Sequence, residues 1–147
     1  MLTLKSGAFA DGGEIPEKYG YKRDNVSPPL EISSVPADAR SLVLIMDDPD
    51  AQRVAGRVWV HWVVWNMPAE TRAIEEGESP GIEGKTDFGT VGYGGPAPPD
   101  RPHVYVFKLY ALDAMLDLPE GSTKEQVEAA MRGHVIAQTQ LKGRYAP

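Results

Sequence analysis

Residues Val58 to Trp65, VWVHWVVW, are apolar at both parities of an extended chain, and no other stretch limits the fold as strongly. Alternate side chains of a strand point to opposite faces, so Trp59, His61, Val63 and Trp65 share one face and Val58, Val60, Trp62 and Val64 the other. Neither face suits solvent. A strand covered on both sides belongs in the middle of a sheet. His61 is then either a satisfied interior histidine or part of a pocket wall.

Two more runs read as strands. Ser41 to Met46 is continuously apolar after its serine and stops at Asp47-Asp48-Pro49-Asp50, where proline lacks a ladder N–H and aspartate favours a turn. His103 to Leu112 alternates, with His103, Tyr105, Phe107 and Leu109 on one face and Val104, Val106, Lys108 and Tyr110 on the other. Residues 1 to 40 are turn-rich, with room for short strands such as Leu30 to Ile32. Residues 69 to 102 form a long Gly- and Pro-rich loop, a length more often functional than idle. Ser122 to Glu125 reads as a capping box opening a helix with the apolar stripe Val127, Ala130 and Met131, stopped at Gly133. The spacing predicts a second short helix over His134 to Gln140 and a last strand over Leu141 to Tyr145. With 15 glycines, 13 prolines and no internal repeat, the chain reads as one mostly β domain over residues 1–147.

Composition removes several functions. The absence of cysteine excludes disulfides, a thiol nucleophile and thiolate metal sites. A formal charge of −6 with scattered Lys and Arg argues against nucleic acid as a partner. No apolar run has the length of a signal-peptide core or a membrane span, so stable membrane insertion is not expected and a cytoplasmic location is. Two catalytic-looking patterns are decoys. Gly77-Glu78-Ser79-Pro80-Gly81 satisfies G-x-S-x-G without the strand that must lead into a nucleophile elbow, and Pro80 lacks the N–H that an oxyanion hole would use. Gly92 to Ala97 satisfies G-x-G-x-x-A, but Pro98 and Pro99 prevent the helix that a dinucleotide fingerprint must open.

The remaining polar groups gather at strand ends: Asp48 and Asp50 after the first strand, His61 in the second, His103 and Tyr105 at the start of the third. Taken alone, the aspartates are better explained by turn capping. Imidazoles, a phenol and the N–H groups of Gly94 and Gly95 make a donor set suited to a phosphate or carboxylate. Asp48, Asp50, His61 and His103 are also legitimate metal ligands, although their spacing matches no compact metal motif. Paired carboxylates acting as acid and base in hydrolysis are a third option.

The ordered set DDPDA (47–51), VWVHWVVWNMP (58–68), GYGGPAPP (92–99) and HVY (103–105), with SPPL (27–30), LYALD (109–113) and GRY (143–145), resembles the phosphatidylethanolamine-binding protein family, which includes Raf kinase inhibitor proteins, in its prokaryotic branch. The resemblance spans nearly the whole chain. It implies two packed antiparallel β-sheets with Greek-key connections, short helices at the C-terminal side, and a small anion pocket. Carried over by position, Asp48 and Asp50 match the acids of the D-P-D-A motif, Trp59 and His61 those of the following strand, Gly95 and Pro96 the glycine-proline loop, and His103 and Tyr105 the residues after it. Gln52 stands where the family usually has proline, and Val104 where it commonly has arginine. The implied function is non-catalytic binding of phosphate, a phosphorylated head group or a carboxylate, without cofactor or metal, with modulation of a kinase, inhibition of a serine protease and homodimerisation as family precedents.

Overall fold

The structure, a computed structural model, describes residues Met1 to Pro147. Its strands in chain order are β1 (Thr3–Lys5), β2 (Leu30–Ser33), β3 (Ser41–Asp48), β4 (Trp59–Pro68), β5 (Ala73–Ile74), β6 (Ile82–Glu83), β7 (His103–Leu112) and β8 (Val135–Tyr145). Two helices, α1 (Gln52–Ala55) and α2 (Lys124–Met131), complete it, with short 3₁₀ turns at Glu17–Tyr19 and Pro49–Ala51. An antiparallel sheet ordered β6-β4-β3-β7-β8 packs on a smaller antiparallel sheet ordered β1-β2-β5. This is the expected mostly β architecture of two sheets with short helices. The connection from β4 to β7 carries the chain from one side of β3 to the other, the Greek-key type of return.

The double-sided apolar strands lie where their sequences require. Every residue of β3 is buried. Leu42, Leu44 and Met46 of β3, with Trp62 and Val64 of β4 and Phe107 and Leu109 of β7, face the small sheet and meet Leu4, Leu30, Ile32 and Ile74. Val43 and Ile45, with Val60, Val63 and Trp65, face outward and are covered by Leu116 and by Val127 and Met131 of α2. Each such buried side chain contributes about 1.5–3 kcal/mol relative to exposure, so losing either covering layer would be ruinous for this strand. On the outer face Asp47 is buried and its Oδ2 accepts from Lys108 Nζ at 3.0 Å and Lys124 Nζ at 2.8 Å.

Three local readings differ from the sequence, the first being that the stretch from 69 to 102 is not all loop but carries β5 and β6. The capping box sits one residue later than expected. Thr123 is the N-cap, its Oγ1 accepting from Gln126 N–H at 3.2 Å while its own N–H donates to Gln126 Oε1 at 2.8 Å. Ser122 instead donates its hydroxyl to Pro119 O. The segment His134 to Gln140 is not a helix but most of β8, an eleven-residue strand paired along β7. Its alternation is real, with Leu141 and Gly143 buried and Gln138, Gln140, Lys142 and Arg144 exposed. Good helix formers such as Ala137 and Gln138 hide that period, and pairing with β7 overrides the propensity. No helix is long and apolar enough to cross a membrane.

Candidate functional site

The site forms where β3, β4 and β7 end together. Pro49 stops β3, leaving Asp48 as its last residue, opposite Trp59 of β4. The pairing of Asp47 with Val106 sets Asp48 beside Tyr105 on β7. One step of β3, from Met46 to Asp47, spans two steps of β4, from Trp62 to Val60, so His61 is the extra residue of a β-bulge. The bulge changes its face. Plain alternation puts His61 with Val63 and Trp65, which pack on the outer side; in the structure it meets Tyr105 and Phe88 edge-on at ring distances of 5.1 and 5.3 Å, on the side of Trp62.

These residues surround a cavity of about 210 Å³ lined by Asp48, Trp59, His61, Phe88, His103 and Tyr105, with Ala51, Val54 and Ala55 from the α1 turn and Ala97, Pro98 and Pro99 from the proline loop completing its wall. Pro49 to Ala55 forms one rim because the turn is pinned below it: Asp50 Oδ2 accepts from Val104 N–H at 2.8 Å. The helix ends at Gly56, whose φ of 78° is left-handed.

Four charged groups form a chain that runs from the cavity wall at Asp48 and His103 out to the surface at Asp100 and Arg53. Asp48 Oδ2 accepts from His103 Nδ1 at 2.6 Å, His103 Nε2 donates to Asp100 Oδ1 at 2.8 Å, and Arg53 donates to Asp100 Oδ2 at 2.7 Å. Both imidazole nitrogens face carboxylates, an arrangement that favours the doubly protonated imidazolium. Burial works against that charge, but the hydrogen bonds to Asp48 and Asp100 outweigh it and raise its pKa above the ordinary histidine value. His61 behaves oppositely. Its Nδ1 lies 2.6 Å from Gly94 O, and since a carbonyl can only accept, Nδ1 carries the hydrogen. Burial lowers its pKa in spite of that bond, so the ring is neutral near pH 7 and Nε2 is a bare acceptor without a protein partner. Burial, with the charge of Asp48, raises the Tyr105 pKa and keeps its hydroxyl protonated.

The two histidines pull stability in opposite pH directions. His103, with a raised folded pKa, contributes stability that is full below the unfolded value of about 6.5 and lost as pH rises through the folded pKa. His61, with a lowered folded pKa, costs stability as pH falls below about 6.5. Thermal unfolding followed from about pH 5 to 9 should therefore peak near the ordinary histidine pKa, and His103→Gln should flatten the alkaline side alone. An alkaline decline unchanged in that variant would detach His103 from it.

Of the sequence-nominated residues, Asp48, Trp59, His61, His103 and Tyr105 line the cavity. The other four lie outside its lining. Asp50 is occupied by Val104 N–H. Gly94 N–H donates to His61 O at 2.8 Å, so it holds the bulge rather than an anion. Gly95 N–H donates to Asn25 Oδ1 at 2.8 Å. Pro96 accepts from Tyr21 N–H and lines a neighbouring groove with Lys22 and Arg23. No group of three or more His, Cys, Asp or Glu side chains is placed to hold a metal. Sequence reasoning missed Phe88, which stacks on Tyr21 at 4.1 Å, and Asp100, the second carboxylate on His103. Asp100 lies three residues before His103, a spacing that offered a signal; Phe88 had none.

Comparison with known proteins finds relatives along nearly the whole chain. The family model described as phosphatidylethanolamine-binding protein matches residues 5–146. A UPF0098 protein of Methanothermobacter thermautotrophicus is 46% identical over 151 residues, covering 98% of both chains. One of Chlamydia trachomatis is 44% identical over 148 residues at the same coverage. Among solved structures, a phosphatidylethanolamine-binding protein homologue from Chlamydia trachomatis superposes with a TM-score of 0.93 at 43% identity, covering 98% of this chain and 96% of that one. Escherichia coli YbcL, described as a new member of the mammalian family, gives 0.89 at 27% identity with 98% and 97% coverage.

Proposed function

Since the chain belongs to the phosphatidylethanolamine-binding protein family, we propose that it is a binding protein without catalysis whose cavity takes the acidic oxygen tip of a small ligand: a phosphate, a phosphorylated head group or a carboxylate. One observation carries this reading. Asp48 Oδ1 and the Tyr105 hydroxyl are buried, are neighbours of one another and make no well-formed hydrogen bond within the protein, and both belong to residues lining the same cavity. Buried polar atoms are almost always paired, and an unpaired one costs about 1–3 kcal/mol, so a polar ligand that completes this pair would be stabilised by doing so. The rest of the wall is apolar, from Val54, Trp59, Phe88, Pro98 and Pro99, which suits a ligand with an apolar body behind a polar tip.

Titration of Trp59-region fluorescence or calorimetry with phenyl phosphate and benzoate tests the proposal. Tyr105→Phe keeps the ring and removes the hydroxyl, and should weaken binding about three- to tenfold, the worth of one hydrogen bond. Equal affinity in wild type and variant would sink the assignment of the tip to this cavity. A second reading, modulation of a kinase or protease by the surface around the cavity, is favoured by Val54 and Tyr21, 45% and 39% exposed beside it. Client inhibition that survives Tyr105→Phe with ligand binding lost would support that mode.

A further inference from the structure

We infer that the cavity admits an acidic oxygen group only with a proton on it, so that it takes a phosphate monoester as the singly charged hydrogen phosphate and rejects the matching sulfate. This rests on the reading of the cavity as a site for an acidic tip, and adds which acid it accepts and which residue decides.

The free groups at the floor are mostly acceptors. Asp48 Oδ1 is buried and unpartnered, and its other oxygen is already held by His103. His61 donates through Nδ1 to Gly94 O, which leaves Nε2 with a lone pair. Tyr105 supplies the one hydroxyl able to donate. His103 has no proton to offer, because both nitrogens donate to carboxylates. The other charges nearby do not change this balance. Arg53 is directed at Asp100, Asp50 at Val104 N–H, and Asp47 lies on the opposite sheet face with Lys108 and Lys124.

A fully ionised anion would bring only oxygens to a carboxylate oxygen and an imidazole lone pair. Three acceptors would then meet without a hydrogen between them. A hydrogen phosphate presents its one O–H to Asp48 Oδ1, the charged acceptor, and accepts from Tyr105 through another oxygen, which pairs those two groups and leaves only His61 Nε2 without a partner. Sites built to bond a substrate hydroxyl discriminate strongly against the analogue that lacks it, because the buried acceptor is left alone. Asp48 is thus the specificity-determining residue, and its negative charge in an anion site has a use: it reads the proton.

Phenyl phosphate and phenyl sulfate make the test, since at about pH 5.5, below the second phosphate pKa of roughly 6, both are largely monoanions of similar shape and differ in one O–H. Wild type should bind the phosphate at least tenfold tighter than the sulfate there. Phosphate affinity should fall by on the order of fiftyfold towards pH 8 as the monoanion disappears; phenyl sulfate, without that proton, reports any contribution of His61 titration on its own. Asp48→Asn places an amide N–H where the acceptor stood, and should gain phenyl sulfate binding and lose the phosphate pH dependence. Equal affinity for both compounds in wild type would overturn this inference while leaving the cavity an acidic-tip site. Binding of neither would overturn both. Should Asp48→Asn fail to fold, the wild-type pair at the two pH values decides alone.

Discussion

Gly95→Ala should be among the most destabilising single substitutions available in this chain. A Cβ on Gly95 would stand 2.0 Å from Tyr19 O and 2.9 Å from both Gly20 C and Tyr21 N. All three are backbone atoms, so no rotamer change relieves the overlap. The 94–96 segment would have to move away from the 19–21 turn, taking with it the Gly95 N–H bond to Asn25 Oδ1 and the Tyr21 N–H bond to Pro96 O. Overlap of this kind with loss of two hydrogen bonds costs about 3 kcal/mol or more, a fall in Tm of roughly 6–12 °C for a domain of this size. Gly12→Ala offers the comparison, since nothing lies within 4 Å of its Cβ and only its φ of 80° is strained. A Gly95→Ala protein that melts within 2 °C or so of wild type would mean the turn yields more easily than the packing allows. The same substitution should weaken phenyl phosphate binding, because Gly94 O orients His61.

Much of this fold was legible because apolar residues at both parities leave a strand nowhere to lie but between two layers. Ser41 to Met46 and Val58 to Trp65 carry that signal without ambiguity, and both are central in the large sheet. The small sheet was less visible, since β1 and β5 are three and two residues long. For the cavity, residue type and strand position bring Asp48, Trp59, His61, His103 and Tyr105 into one neighbourhood. What each does there depends on partners that no local pattern shows. Gly94 and Gly95 look like free donors in sequence, yet their N–H groups pair with His61 O and Asn25. His103 looks like a donor too, but Asp100 and Asp48 take both of its protons. Most consequential is the bulge, because VWVHWVVW gives no sign that its alternation is interrupted.

That interruption makes a sharp prediction about deletions in β4. Removing His61 should leave the ladder intact and abolish ligand binding. Without it, Trp62 still faces Met46 and Val60 still faces Asp47, now in regular register, and every other side chain keeps its face. Removing Val63, two residues on, has a different result. With Val64 fixed opposite Leu44, Trp62 would be drawn opposite Ile45 and His61 opposite Met46, turning Trp62 from the inter-sheet core to the outer face. That would tear its Nε1–H from Glu83 Oε2, 2.8 Å away, and its edge-on contact with Tyr93, and leave an indole-sized void. Emptying such a site costs about 3–5 kcal/mol before the new overlap outside is counted. Circular dichroism and thermal melts of the two deletion proteins are expected to give a cooperative transition for the first and none, or one lowered by more than roughly 10 °C, for the second. If both deletions unfold alike, the extra residue is needed by the fold itself; if only the second does, the fold tolerates a plain strand here and the bulge serves to aim His61 into the cavity.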